Sequence, residues 1–175
     1  EDALTIGEKA SLVSTKKAIN NILICGLGGS GIGGTIIKDV VSRKITIPIA
    51  VSKGYDIPGF VNENTLVIAC SYSGNTEETL SSLEKCLDKS AEITIITSGG
   101  KLKEIATKNK LNNIIIPGGH PPRAMFGYGF TQLFFILNNY GIINDSFKND
   151  FNNAISLIKE HRSKIKGLAK SLADK

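Results

Sequence analysis

Five short apolar runs alternate with helical patterns along this chain, and that alternation limits the folds open to it. The runs are Ile22-Leu23-Ile24-Cys25, Ile47-Pro48-Ile49-Ala50-Val51, Thr65-Leu66-Val67-Ile68-Ala69-Cys70, Ile93-Thr94-Ile95-Ile96-Thr97 and Asn113-Ile114-Ile115-Ile116. The run at 65–70 is continuously apolar, as a strand buried on both faces must be. Between the runs, Ile36, Ile37, Val40 and Val41, then Leu80, Leu83 and Leu87, then Leu102 and Ile105 recur at helical spacing. An opening helix is expected over about residues 7–20. Strands separated by helices predict an α/β protein, a three-layer α-β-α sandwich around a doubly wound, flavodoxin-like parallel sheet of five strands. Pro48 places the second run at a sheet edge, because proline cannot donate to a ladder. A chain of 175 residues fits a single domain with a full core.

Ligands of such sheets bind beyond the carboxyl ends of the strands, at the topological switch point. Two turns there are rich in glycine and hydroxyls. After Cys70 comes Ser71-Tyr72-Ser73-Gly74-Asn75-Thr76-Glu77-Glu78, three hydroxyls and a glycine where a strand gives way to a helix. The helix is expected to begin near Asn75 or Thr76, with Glu78 closing a capping box. Open amides at a helix start, surrounded by Ser71, Ser73 and Thr76, make a cradle for a phosphate or carboxylate. An ordinary N-cap needs one such hydroxyl rather than three.

The other turn, after Cys25, reads Gly26-Leu27-Gly28-Gly29-Ser30-Gly31-Ile32-Gly33-Gly34. Gly26, Gly28 and Gly31 satisfy a dinucleotide-binding spacing, but the acidic residue wanted some 20 positions on is replaced by Ser52-Lys53. That pair suits a 2′-phosphate, so an NADP site stands as one alternative; a Walker loop fails for want of Gly-Lys-Ser/Thr. Glycines also permit close helix–sheet packing. Ligand contact is the favoured reading, because glycine lets backbone approach a ligand and Ser30 adds a hydroxyl.

A third segment follows the last strand: Pro117-Gly118-Gly119-His120-Pro121-Pro122-Arg123. Pro122 suits the first position of a helix, which puts Arg123 in the first turn. A cation there opposes the macrodipole, at a cost of up to about 1 kcal/mol, which a role facing an anionic substrate would offset. His120 reads as a loop residue near the site, and His161 as exposed. The stripe Phe126, Phe130, Phe134 and Leu137 reads as core or subunit interface, favouring self-association as a homodimer.

Charge and cysteine usage exclude other classes. Of the net +5, +4 lies between Phe147 and Lys175, where seven Lys/Arg stand against three Asp/Glu. Phe151, Ala154, Ile155, Ile158, Ile165, Leu168 and Leu172 recur there at helical spacing, so the lysines form the solvated face of an amphipathic helix and not a nucleic-acid site. No run is apolar enough to span a membrane, and nothing resembles a signal peptide. Cys25, Cys70 and Cys86 cannot all pair and lack metal-ligand spacing, which reads as reduced thiols in a cytoplasmic protein without a metal.

The glycine turn at 26–34, the segment Ser71-Tyr72-Ser73-Gly74-Asn75-Thr76-Glu77-Glu78-Thr79 and Pro121-Pro122-Arg123 together resemble the sugar isomerase (SIS) domain family. The first and last of these look like its bifunctional phosphoglucose/phosphomannose isomerase branch. The resemblance implies a sugar phosphate at the strand ends, with Ser71, Ser73 and Thr76 on the phosphate. It implies that Gly28, Gly29 and Ser30 contact substrate, and that Arg123 stabilises an enediol-like intermediate without metal or redox cofactor. Enzymes of that branch carry two such domains, with a general-base glutamate and a ring-opening histidine, inside a His-Asn-Glu segment, in the second half. No His-Asn-Glu occurs here. The chain therefore reads as an N-terminal half, with helix 147–175 as a candidate connection to the second domain. The main competing reading is a stand-alone sugar-phosphate sensor.

Overall fold

The computed structural model describes residues 1–15 and 17–174. In chain order run α1 (Asp2–Glu8), β1 (Asn21–Cys25), α2 (Gly28–Val41), β2 (Ile49–Ser52), β3 (Thr65–Cys70), α3 (Glu77–Asp88), β4 (Glu92–Thr97), α4 (Gly100–Asn109), β5 (Asn112–Ile115), a 3-10 turn (Pro122–Met125), α5 (Phe126–Asn139) and α6 (Phe147–Ala173). The chain divides into two compact units, Asp2–Ile143 and Asn144–Lys175 with Glu1.

The first unit holds a five-stranded sheet in the order β2-β1-β3-β4-β5. All four strand pairs are parallel, with Ile22 opposite Ile49 on one side and Leu66 on the other. The winding reverses between β1 and β3, which makes that gap the switch point. Alternation divides the core between two faces. Leu23, Cys25, Val67, Ala69, Ile93 and Ile95 pack with Leu83 and Cys86 of α3 and Leu102 and Ala106 of α4. On the other face, α2 lies close enough to β1 that a Cβ on Gly34 would meet Ile24 Cγ2 at 2.9 Å. β2 is an edge strand, as Pro48 requires; the Pro48 carbonyl accepts the Ile22 N–H at 2.9 Å just before the ladder begins.

The opening helix is not where spacing places it. It spans Asp2–Glu8, not 7–20, and residue 16 of the expected helix lies outside the described residues. Two contacts explain the shift. Gly7 is pressed on the Phe135 ring, leaving no room for a side chain. Further on, the Asn112 side chain grips the Val13 backbone from both sides, accepting its N–H and donating to its carbonyl, each at 2.8 Å. That grip holds the segment extended and overrides helical propensity.

In the second unit, α6 carries the expected apolar stripe, but Ile158, Ile165, Leu168 and Leu172 are each more than half exposed. Phe147 packs edge-on against Phe151, and Lys159 pairs with Glu1. No described helix is long and apolar enough to cross a membrane.

Candidate functional site

The turn after β3 places its three hydroxyls in different roles. Ser71 is buried, and its Oγ lies 2.7 Å from Thr76 Oγ1 and accepts the Gly74 N–H at 3.1 Å. Ser73 is exposed and accepts the Asn75 N–H at 3.2 Å. Thr76 is the N-cap of α3, yet makes no side-chain bond to its own helix, because Ser71 holds the hydroxyl instead. The expected capping box is absent: Glu78 makes no cap bond, and Asn75 Oδ1 turns aside to accept the Lys101 N–H at 3.0 Å. The first amides of α3, those of Thr76, Glu77 and Glu78, therefore find no acceptor among the described residues.

The glycine-rich segment after β1 is less a turn than a helix start. α2 already begins at Gly28, whose φ of +57° suits glycine. Two of its glycines serve packing, as the plainer reading has it. A side chain on Gly31 would collide with the Gly26 carbonyl, and one on Gly34 with Ile24. Gly28 and Gly29 differ: nothing lies within 4 Å of where their Cβ atoms would stand.

The two helix starts open onto one cleft of about 270 Å³. Gly28, Gly29 and Ser30 form one lip, and Tyr72, Ser73 and Thr76 the other. Ser71 lies behind the lining and braces it through Thr76. None of the lining residues is charged, so the field in the cleft comes from hydroxyls and from the positive ends of α2 and α3. That field favours an anion. At the base is Cys70, whose thiol burial pushes up to about 12, leaving it neutral.

Arg123 stands apart from this group. It occupies the first turn of the short 3-10 helix, as Pro122 at its start predicts, but it is exposed and does not line the cleft. His120 is an exposed loop residue whose backbone N–H donates to the Tyr72 hydroxyl at 3.0 Å.

The inner wall is one that spacing alone assigns elsewhere. Met125, Phe126, Phe130 and Leu133 line it with Ile96 and Ile116. Phe126 and Phe130 stack with centroids 5.3 Å apart, and Phe130 meets Phe134 edge-on. Phe134 and Leu137 are core, as expected, whereas Phe126 and Phe130 line the cleft. The i, i+4 spacing of the stripe was the available signal, since it puts all four residues on one helix face whose N-terminal end overhangs the strand ends.

Comparison with known proteins places the fold and the family. A bifunctional phosphoglucose/phosphomannose isomerase of Caldicellulosiruptor bescii is 45% identical over 143 residues, covering 82% of this chain and 42% of that protein. A protein of the same name from Thermoplasma acidophilum is 50% identical over 109 residues, covering 62% and 33%. This chain thus spans less than half the length of these curated relatives. Among solved structures, the C-terminal domain of glucosamine-fructose-6-phosphate aminotransferase from Francisella tularensis superposes with a TM-score of 0.65 at 16% identity, covering 99% of this chain and 51% of that one. Residues 17–137, which include the whole sheet and both helix starts at the cleft, match the SIS domain, and the chain belongs to that family.

Proposed function

We propose that this chain is the phosphosugar-binding half of an aldose–ketose isomerase that interconverts glucose 6-phosphate or mannose 6-phosphate with fructose 6-phosphate. The observation that carries the reading is the meeting of two uncapped helix starts and their hydroxyls in one cleft at the switch point. The phosphate is taken by Ser73 and Thr76 with the open amides of α3, and Ser71 fixes Thr76 in place. Gly28, Gly29 and Ser30 contact the sugar from the opposite lip. The 45% identity to an isomerase of that specificity supports the substrate class.

Arg123, on the rim, stabilises the negative charge that develops on an enediol oxygen as a proton moves between C1 and C2. The base and the ring-opening acid belong to a second domain, so the isolated chain binds but does not turn over. Charge-assisted hydrogen bonds of about 1.5–3 kcal/mol each support micromolar to millimolar binding after association costs.

Titration calorimetry with fructose 6-phosphate, inorganic phosphate and NADP tests the reading. Binding of fructose 6-phosphate in preference to phosphate is expected. Binding of NADP alone would refute the sugar-phosphate site, and robust isomerase turnover by this chain would refute the half-enzyme assignment.

A further inference from the structure

Tyr72 lies between Ser71 and Ser73, but its side chain serves a different turn. The ring lines the cleft, and the phenolic oxygen accepts the His120 N–H at 3.0 Å. The Tyr72 carbonyl accepts both the Ser98 N–H at 3.0 Å and the Ser98 hydroxyl at 2.6 Å. Ser98 in turn lies under Gly118, where an added Cβ would stand 3.6 Å from it. One residue thus joins the turns that follow β3, β4 and β5.

The turn after β5 has little else to hold it. Pro117, Pro121 and Pro122 have no N–H to donate, and Gly119 sits at φ +81°. Among the described residues, the His120–Tyr72 bond is the one hydrogen bond from residues 117–123 to another turn. Arg123 follows His120 by three residues, joined to it only through the two prolines.

We infer that Tyr72 is a positioning residue: its hydroxyl fixes the loop after β5 and thereby holds the exposed Arg123, which follows Pro122 of the cleft lining, where its guanidinium can meet the sugar of a bound phosphosugar. Resting on the function proposed above, this makes Tyr72 a determinant of selectivity for sugar phosphate over inorganic phosphate. The phosphate cradle itself does not use the hydroxyl, so phosphate affinity does not depend on it.

Tyr72→Phe, which keeps the ring, tests this in the full chain. In the free protein, hydrogen exchange at the His120 amide should quicken at least about tenfold, since its acceptor is gone. Affinity for fructose 6-phosphate should fall roughly three- to tenfold, the worth of one neutral hydrogen bond, while that for inorganic phosphate stays the same. If Tyr72 acts through Arg123, adding Tyr72→Phe to Arg123→Gln should weaken binding no further. Unchanged His120 exchange, equal losses for both ligands, or full additivity with Arg123→Gln would each overturn the inference. Wild-type protein that binds no sugar phosphate, yet shows the His120 protection, would refute the proposed function and leave the latch standing.

Discussion

Ser71 and Thr76 bond to each other at 2.7 Å, hydroxyl to hydroxyl, across the turn that joins β3 to α3. A threonine at an N-cap ordinarily satisfies an amide of its own helix. Here Ser71 draws that hydroxyl away, so the amides at the start of α3 stay open toward the cleft. The two side chains act as one unit. Ser71→Ala and Thr76→Val should each lower stability by about 1 kcal/mol, and the double variant by less than the sum. Urea denaturation of the four proteins measures the coupling; strict additivity would contradict it.

Ser73 is exposed and braces only the Asn75 amide, so its hydroxyl can be removed without disturbing the core. Ser73→Ala should leave the urea midpoint almost unchanged while weakening fructose 6-phosphate and inorganic phosphate alike, by roughly tenfold for one charge-assisted bond. Calorimetry and denaturation on the same sample separate the two effects.

Two glycines of the site should respond in opposite ways to the same change. Gly74 sits at φ +71°, and a side chain there would strike the Gly99 carbonyl. Gly74→Ala is expected to cost at least about 2–4 kcal/mol, because both the conformation and the space forbid it. Gly29 lies inside α2 with nothing within 4 Å of its Cβ position. Gly29→Ala should therefore hold or raise the melting temperature by helix propensity, while narrowing the lip and weakening the ligand.

On the alkaline side, stability draws on the buried Cys70 thiol and the half-buried Tyr140 phenol. Burial pushes the Cys70 thiol from 9.0 up to about 12. Burial above all, together with its hydrogen bond to Glu92, raises the Tyr140 phenol from 10.0 to about 12. Between the unfolded and folded values the native state holds more protons than the unfolded chain, so stability falls as pH rises. Chemical denaturation should show stability declining as pH rises above 9 and declining more steeply above 10. Tyr140→Phe should remove the steepening and leave the earlier onset. At pH 8 the Cys70 thiol therefore stays protonated, and its alkylation in the native protein should be slow.

Strand positions were legible because burial on both faces demands continuous apolar residues. The run Thr65–Cys70 is a strand over that same range, and the others shift by one or two residues. The parallel order and the adjacency of the two turns followed from topology. What spacing could not supply was set by contacts distant in sequence. Asn112 draws Val13 out of a helix from 99 residues away. Asn75 leaves its own helix for the Lys101 amide, and with it the capping box is lost. Phe126 and Phe130 carry the periodicity of core residues, but they lie where α5 overhangs the strand ends, and there the same apolar face becomes a wall of the cleft.

The hydroxyl-rich turn is held from outside by its neighbour. Its Gly74 carbonyl accepts the Leu102 N–H at 3.0 Å, Asn75 accepts from Lys101, and Tyr72 accepts twice from Ser98. Gly74 and Gly100 both adopt left-handed backbone so that the two turns can interlock. The eight residues from Ser71 to Glu78 are consequently not portable. Grafted after a strand of another protein, they would carry the hydroxyls but lack the surface that shapes them. A transplant intended to create a phosphate site would have to bring Ser98 through Leu102 as its second piece.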